Sequence, residues 1–79
     1  MPRQKLGRFM YAVGGAEDDL WEIRDRGGGV LGYVDWYSRW KSYVFNSMGE
    51  AAIFSADCLA EITAFLGRLN RERKEDGRD

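Results

Sequence analysis

The apolar positions of residues 54–70 follow the period of an α-helix. They recur at spacings of one, three and four residues and form one stripe: Cys58, Leu59, Ile62, Phe65, Leu66 and Leu69. Ser55 is the predicted N-cap, because its hydroxyl can accept from a free amide of the first turn. Asn70 either ends the helix or lets it continue. A helix of this length is marginal alone in water, so we expect it to pack on the rest of the chain.

Upstream of the helix, four segments have the pattern of short β-strands: residues 8–13, 20–25, 30–37 and 40–45. In the second of them Trp21 and Ile23 alternate with Glu22 and Arg24, which is typical of a half-buried strand. Residues 51–54 are either a short final strand or an extended lead-in to the helix. Residues 1–6 are polar and basic, and we expect them to be frayed.

These elements predict an α+β fold, with a four- to five-stranded antiparallel β-meander and one C-terminal helix packed on one face. The connections between strands have hairpin length, which excludes parallel pairing between neighbours. Residues 1–70 are predicted to be a single domain and residues 71–79 a charged flexible tail, in which acidic and basic side chains balance. In that tail, Arg71 and Glu75 have the spacing of a helical ion pair that would prolong the helix.

The last two strands carry large apolar side chains on both faces. If Ser38 and Arg39 form a two-residue turn, one face holds Leu31, Tyr33, Tyr37, Trp40 and Val44, and the other holds Val30, Val34, Trp36, Tyr43 and Phe45. One helix covers one face, so the second face is expected to be an interface. Three explanations remain open: self-association as a homo-oligomer (a dimer), a host protein or complex, and a curved sheet that shelters its own second face.

Composition narrows the class of protein. A chain of 79 residues with 14% aromatic residues and one cysteine is a small domain without an internal disulfide, which is typical of a reducing compartment. Neither a membrane-spanning run nor a signal peptide is apparent, so we expect a cytoplasmic protein. The net charge of −1 gives no general attraction to nucleic acid.

Motifs for catalysis or metal binding are weak. The chain has no histidine, the usual general base and metal ligand near neutral pH. Cys58 falls on the apolar stripe, which indicates a buried thiol. The glycines of residues 27–29 lack the lysine and hydroxyl residue of a phosphate-binding loop, and the carboxylates of residues 17–19 lack a wider ligand pattern. We therefore expect a protein that is not an enzyme and needs neither a cofactor nor a metal.

Residues 35–43 combine aromatic rings with cations. This composition is typical of protein-binding hot spots, and it predicts a partner-binding site made of Trp36, Tyr37, Arg39, Trp40 and Tyr43. The same side chains would suit a nucleotide or nucleic-acid binding module in which bases stack on the rings. The near-neutral net charge favours a protein partner over nucleic acid.

Two segments of the chain together resemble small phage- and prophage-encoded proteins of uncharacterised function. Residues 36–45 have the pattern WYxxWxxYxF, and residues 54–66 have the pattern FxxxCLxxIxxFL. Many small phage proteins act by binding, and anti-CRISPR and other anti-defence inhibitors block a host complex or sequester its signal. By analogy, the resemblance implies a phage-encoded binding protein in the cytoplasm of the host cell.

Overall fold

Five antiparallel strands and one C-terminal helix form the fold. The computed structural model describes residues 3–15, 19–49 and 53–77. The elements in chain order are β1 (Arg3–Leu6), β2 (Met10–Gly14), β3 (Leu20–Asp25), β4 (Val30–Tyr37), β5 (Ser42–Ser47) and α1 (Ala56–Glu75). Each strand pairs with the next along the chain, so the sheet is a meander in the order β1 to β5. The predicted α+β architecture is confirmed.

The first edge strand corrects the prediction for the N-terminal segment. Residues 1–6 were expected to fray, but Arg3–Leu6 pairs with β2, with Leu6 opposite Met10 and Arg3 opposite Val13. Leu6 is buried, whereas Arg3 and Lys5 are exposed. A single buried residue in a four-residue strand gives too weak an alternation to be recognised without its pairing partner.

The segment before the helix does not supply the fifth strand. Ile53 and Phe54 have no regular secondary structure, and residues 51–52 lie outside the described part of the chain. The ring of Phe54 packs edge-on against Phe45 of β5, with 5.4 Å between the ring centroids. Phe54 thereby anchors the chain on the sheet just before α1 begins.

Helix α1 begins where its cap predicts. The side chain of Ser55 accepts a hydrogen bond from the backbone N–H of Cys58, which confirms Ser55 as the N-cap. Ile62, Phe65 and Leu69 are buried against the sheet. Leu59 is an exception to the predicted stripe, because it lies on the flank of the helix and is 50% exposed. The helix runs past Asn70 to Glu75, so the segment predicted as a tail is helical from residue 71 to 75.

The core lies between α1 and one face of the sheet. It comprises Leu6, Met10, Ala12, Trp21, Ile23, Val34, Tyr43, Ile62, Phe65 and Leu69. Trp21 stands at its centre and contacts Tyr43 and Phe65 edge-to-face, with centroids 5.8 Å apart in both pairs. Gly32 leaves room for the ring of Phe45, which a Cβ at this position would meet at 2.7 Å. This close contact explains a glycine in the middle of a strand.

The opposite face of the sheet, called the open face below, is not covered by α1. Its apolar side chains are Tyr11, Val13, Tyr33, Tyr37 and Val44, which alternate with the core residues along the strands. The predicted division is confirmed for Val34, Trp36, Tyr43 and Phe45 on the helix side, and for Tyr33, Tyr37 and Val44 on the other.

A register shift between β3 and β4 exchanges the predicted faces of Val30 and Leu31. The shift falls between Ile23 and Arg24, so that Val30 pairs with Arg24 on the open face. Leu31 packs partly against the core instead. Such an irregularity depends on both strands of the pair, which is why the pattern of β4 by itself does not reveal it.

Candidate functional site

The turn between β4 and β5 is longer than predicted. Tyr37 pairs with Ser42, so residues 38–41 form the turn and β5 does not begin at Trp40. Two backbone hydrogen bonds close it, from Trp40 N to Tyr37 O at 3.1 Å and from Lys41 N to Ser38 O at 3.2 Å. Lys41 then adopts a left-handed conformation with φ of 50°, which returns the chain to the sheet.

This turn presents an aromatic tip, defined here as Tyr37, Arg39 and Trp40. The Trp40 ring meets the Tyr37 ring edge-to-face, with centroids 4.9 Å apart and planes at 87°. Trp40 is nevertheless 69% exposed, and Arg39 is exposed beside it. The tip therefore offers a large indole and a guanidinium on a turn that backbone hydrogen bonds hold in place.

The other two residues of the predicted site, Trp36 and Tyr43, lie on the helix side of the sheet. Tyr43 is buried, with 3% of its surface exposed, and Trp36 packs edge-on against it with centroids 5.2 Å apart. Alternation explains the separation, because Trp36 and Tyr37 are adjacent and must face opposite ways. The structure brings Tyr37, Arg39 and Trp40 together and places Trp36 and Tyr43 behind them.

A polar cluster around the Tyr43 hydroxyl links three distant parts of the chain. The hydroxyl donates to the carboxylate of Asp19, at 2.7 and 2.9 Å from its two oxygens. Nη1 of Arg73 donates to the same carboxylate at 2.8 Å and to the Tyr43 oxygen at 3.2 Å. The Arg73 guanidinium also lies 3.6 Å from the centroid of the Trp36 ring, in a cation–π contact. The cluster fixes the end of α1 to the underside of β4 and β5.

The pKa of Tyr43 is raised above its ordinary value. Burial is the main cause, the hydrogen bond to Asp19 raises the pKa further, and Arg73 opposes the shift. The pKa of Arg73 is also raised, chiefly by its hydrogen bond to Tyr43. The phenol therefore stays neutral and the guanidinium charged at neutral pH, as this set of hydrogen bonds requires.

Asn70 joins α1 to the outer edge of β5. Its Oδ1 accepts from the backbone N–H of Tyr43 at 3.0 Å, and its Nδ2 donates to the Ser42 hydroxyl at 3.2 Å. The N–H of Tyr43 thus points away from β4, and Asn70 satisfies it in place of another strand. Sequence reasoning missed Asp19, Asn70 and Arg73, because their partners are 24 or more residues away along the chain.

The weaker sequence motifs have structural roles in the described residues. The Asp25 carboxylate accepts from Gly29 N at 3.0 Å and closes the glycine turn between β3 and β4. Cys58 is partly buried against the core. Within residues 3–15, 19–49 and 53–77, no group of three or more His, Cys, Asp or Glu side chains is placed to hold a metal ion. Glu17 and Asp18 lie outside these ranges.

The open face mixes aromatic and apolar side chains with pairs of polar side chains. Glu22 and Arg24 form an ion pair within β3, and the Asn46 amide donates to Asp35 at 3.2 Å between β5 and β4. Tyr33, Tyr37 and Val44 lie around these pairs and are half-buried. In the part of the chain that the structure describes, no helix combines the length and apolar character needed to cross a membrane.

Comparison with known proteins gives one informative relative. The chain is 30% identical over 57 residues to a protein described as an uncharacterised 9.3 kDa protein of Acholeplasma phage L2, and the match covers 72% of each chain. No protein-family model matches the chain. No solved structure shows a significant similarity to it.

Proposed function

Because the chain belongs to the same family as the 9.3 kDa protein of Acholeplasma phage L2, we propose that it is a phage-encoded, non-enzymatic binding protein that acts through protein–protein contacts. The aromatic tip is the proposed contact site, and a second copy of the chain is the proposed partner across the part of the open face that β4 and β5 form. A host protein or complex is the proposed target of the tip.

The exposed position of Trp40 is the observation that carries this proposal. A tryptophan buries 150–250 Å² when it enters an interface, and Trp, Tyr and Arg dominate binding hot spots. Here all three types meet on one turn, and the contact between Tyr37 and Trp40 orients the indole before binding. A ring already held in place loses less conformational entropy on association, which favours affinity.

The rest of the structure supports the tip mechanically. Trp36 and Tyr43 lie directly behind it, and the contacts with Asp19 and Arg73 hold both strands against α1. Catalytic and binding groups are positioned best on rigid elements with a packed supporting layer. In this proposal, Trp36 and Tyr43 therefore contribute to binding by positioning the turn and not by touching the partner.

A small binding protein from a phage has an obvious use against host defences. We propose inhibition of a CRISPR complex or of another defence complex as the specific form of the function, by analogy with small phage inhibitors. Such inhibition needs only occupation of a surface, which fits a chain without histidine and with its one cysteine against the core.

Stacking of bases on these rings is a less favourable function for the same residues. Base stacking needs accessible ring faces. Tyr43 is buried, one face of Trp36 is covered by Arg73, and Tyr37 and Trp40 meet each other edge-on. A protein surface can enclose such a protruding pair of rings from several sides, so a protein partner suits the tip better.

An affinity capture experiment tests the proposal. Tagged wild-type protein and the variant Arg39→Ala/Trp40→Ala would be incubated with lysate of the host bacterium, and the retained proteins quantified by mass spectrometry. The matched control is Leu59→Ala/Arg71→Ala, which removes an exposed apolar side chain and an exposed cation from α1 instead.

We expect the wild type and the control to retain the same host protein, and the tip variant to lose it by at least about tenfold, since hot-spot truncations cost about 2 kcal/mol or more. Equal recovery by all three proteins would place the contact elsewhere. Recovery of the chain's own second copy alone would leave the host target without support.

A further inference from the structure

A cationic groove lies on the open face at the end of the molecule opposite the aromatic tip. It has a volume of about 640 Å³ and is lined by Arg3, Lys5, Arg8, Met10, Tyr11 and Arg26. The strand β1 supplies Arg3 and Lys5, the turn after β1 supplies Arg8, and the turn after β3 supplies Arg26. The meander brings both turns to the same end of the sheet, which gathers cations from three separate stretches of sequence.

The cations of this groove form no ion pairs in the described part of the chain. The described ion pairs join Arg24 to Glu22, Arg68 to Glu72 and Arg73 to Asp19, and none of them involves a cation of the groove. The nearby carboxylate of Asp25 accepts a hydrogen bond from the backbone N–H of Gly29 and, within the described residues, forms no ion pair with a cation of the groove. Arg8 also borders a smaller groove containing Asp57 and Glu61, without forming an ion pair with either in the described structure.

Tyr11 provides an aromatic surface beside these cations. Its ring is half-buried on the open face, and the Arg3 guanidinium lies 4.7 Å from its centroid. Lys5 is its cross-strand neighbour on β1. The groove thus combines the Tyr11 ring and the Arg3 guanidinium over it, a pair against which a base can stack, with side chains that bind phosphate.

We propose that this groove binds single-stranded nucleic acid. Three of its four cations are arginines, whose planar guanidinium groups match phosphate oxygens in pairs. Arg3 and Lys5 are alternate residues of one strand, so their Cα atoms stand about 7 Å apart along the edge of the sheet. A line of cations beside an aromatic ring, in a groove open to solvent, is how single strands are bound without sequence preference.

The distribution of the cations also favours single-stranded nucleic acid over other anionic ligands. A small phosphate compound would engage only some of the four cations, because they extend from β1 to the turn after β3. A duplex presents its phosphates around paired and stacked bases, and Tyr11 would then have no base to contact. A flexible single strand can follow the groove and place a base on Tyr11.

The net charge of −1 conceals this groove. A sum over the chain cancels the positive charge of the groove against acidic residues elsewhere, and Arg3–Leu6 enters the sheet only through pairing with β2. The inference goes beyond the proposed protein-binding function and does not depend on it, because the aromatic tip lies at the other end of the strands.

Fluorescence anisotropy with a labelled oligothymidylate of about 12 nucleotides tests the inference, since a site of this kind spans about 4–16 nucleotides. The groove variant is Arg8→Gln/Arg26→Gln, which neutralises two turn residues exposed to solvent. The matched control is Arg71→Gln/Lys74→Gln, which removes the same charge from two exposed residues of α1. Circular dichroism would verify that each variant is folded, and Lys5→Gln provides an independent single variant of the groove.

We expect the groove variant to bind at least tenfold more weakly than the wild type at about 50 mM salt, and the control to bind within twofold of it. The slope of log affinity against log salt should flatten by about 1.4 in the groove variant, at about 0.7 for each lost phosphate contact. Tyr11→Leu should weaken binding at least fivefold without changing that slope, because stacking releases no counterions.

Three results would overturn the inference. They are no binding by the wild-type protein at low salt, equal weakening in the groove variant and the control, and binding of thymidine monophosphate or duplex DNA as tight as that of the single strand. None of these results depends on whether the tip variant loses the host protein in the capture experiment. The two proposals are therefore tested independently.

Discussion

At the scale of single residues, the Tyr43 hydroxyl joins an acidic and a basic side chain that are far apart in sequence. It donates to Asp19 and accepts from Arg73, while its ring packs against Trp21 and Trp36. A buried hydroxyl with charged partners costs more to remove than an exposed one, because its partners lose their hydrogen bonds within the protein. Tyr43 therefore connects Asp19, which immediately precedes β3, to Arg73 in the last turn of α1.

Replacement of Tyr43 by phenylalanine should lower the free energy of unfolding by about 1–3 kcal/mol, because Asp19 and Arg73 lose a buried partner while the ring is retained. Urea denaturation followed by tryptophan fluorescence measures the change. The matched control is Tyr33→Phe, which removes a hydroxyl from the open face and should cost less than about 0.5 kcal/mol. Equal losses in the two variants would contradict the role given to the cluster.

The raised pKa of Tyr43 predicts a loss of stability at alkaline pH. A tyrosine that holds its proton more tightly when folded contributes its full stabilisation below the unfolded pKa of about 10, and loses it as the pH rises through the folded pKa. The difference in unfolding free energy between wild type and Tyr43→Phe should therefore be constant from pH 7 to about 9 and shrink above about 10. A difference that grows with pH in this range would reverse the assigned shift.

At the scale of secondary-structure elements, the contact between α1 and the edge strand β5 depends on Asn70. The side chain amide replaces a neighbouring strand for Tyr43 N and also reaches the Ser42 hydroxyl. An edge strand with free backbone groups invites pairing with other chains. By occupying one of these groups, Asn70 both docks the helix and protects the edge.

Substitution of Asn70 by alanine should lower the free energy of unfolding by about 1–3 kcal/mol, since the buried N–H of Tyr43 loses its acceptor. Asn70→Asp keeps the acceptor and should lose less. Amide hydrogen exchange gives the specific signature, because Tyr43 N–H should exchange much faster in the alanine variant than in the aspartate variant. Unchanged protection of that amide would show that the helix is docked by its apolar stripe alone.

The elements differ in how far their sequence predicts them. The N-cap and the apolar stripe of α1 are local signals, and β3 and β4 have the predicted bounds of residues 20–25 and 30–37. The predictions of a frayed N-terminal segment and of a two-residue turn between β4 and β5 were wrong. A short edge strand and the length of a turn are both determined by pairing with other strands. For the same reason, the alternation assigns Tyr43 to a face but does not identify Asp19, Asn70 or Arg73 as its partners.

At the scale of the whole molecule, one helix covers one face of a five-stranded sheet. On the other face Tyr33, Tyr37 and Val44 are half-buried, and none of the described elements packs over them. Self-association would bury these side chains, so we expect a dimer of about twice 9.1 kDa in light scattering coupled to size exclusion. Val44→Lys should yield monomers while remaining folded, because the new amine lies opposite Asp35. Thr63→Lys, on the exposed side of α1, should remain dimeric.

A monomeric wild-type protein at the highest concentration tested would remove the second copy as the occupant of the open face. It would not affect the proposal for the aromatic tip, because Arg39 and Trp40 lie on the turn and not on the sheet. Tyr37 belongs to both surfaces, and the function proposed for the chain rests on the tip.

Photo-crosslinking from position 40 tests that function most directly. Benzoylphenylalanine would replace Trp40 in one protein and the similarly exposed Leu59 in another, and both would be irradiated in host cells. We expect a discrete protein adduct from position 40, identified by mass spectrometry and reduced by adding Arg39→Ala, and only background from position 59. Equal adduct yields from the two positions would contradict the account of the tip as a protein-binding site.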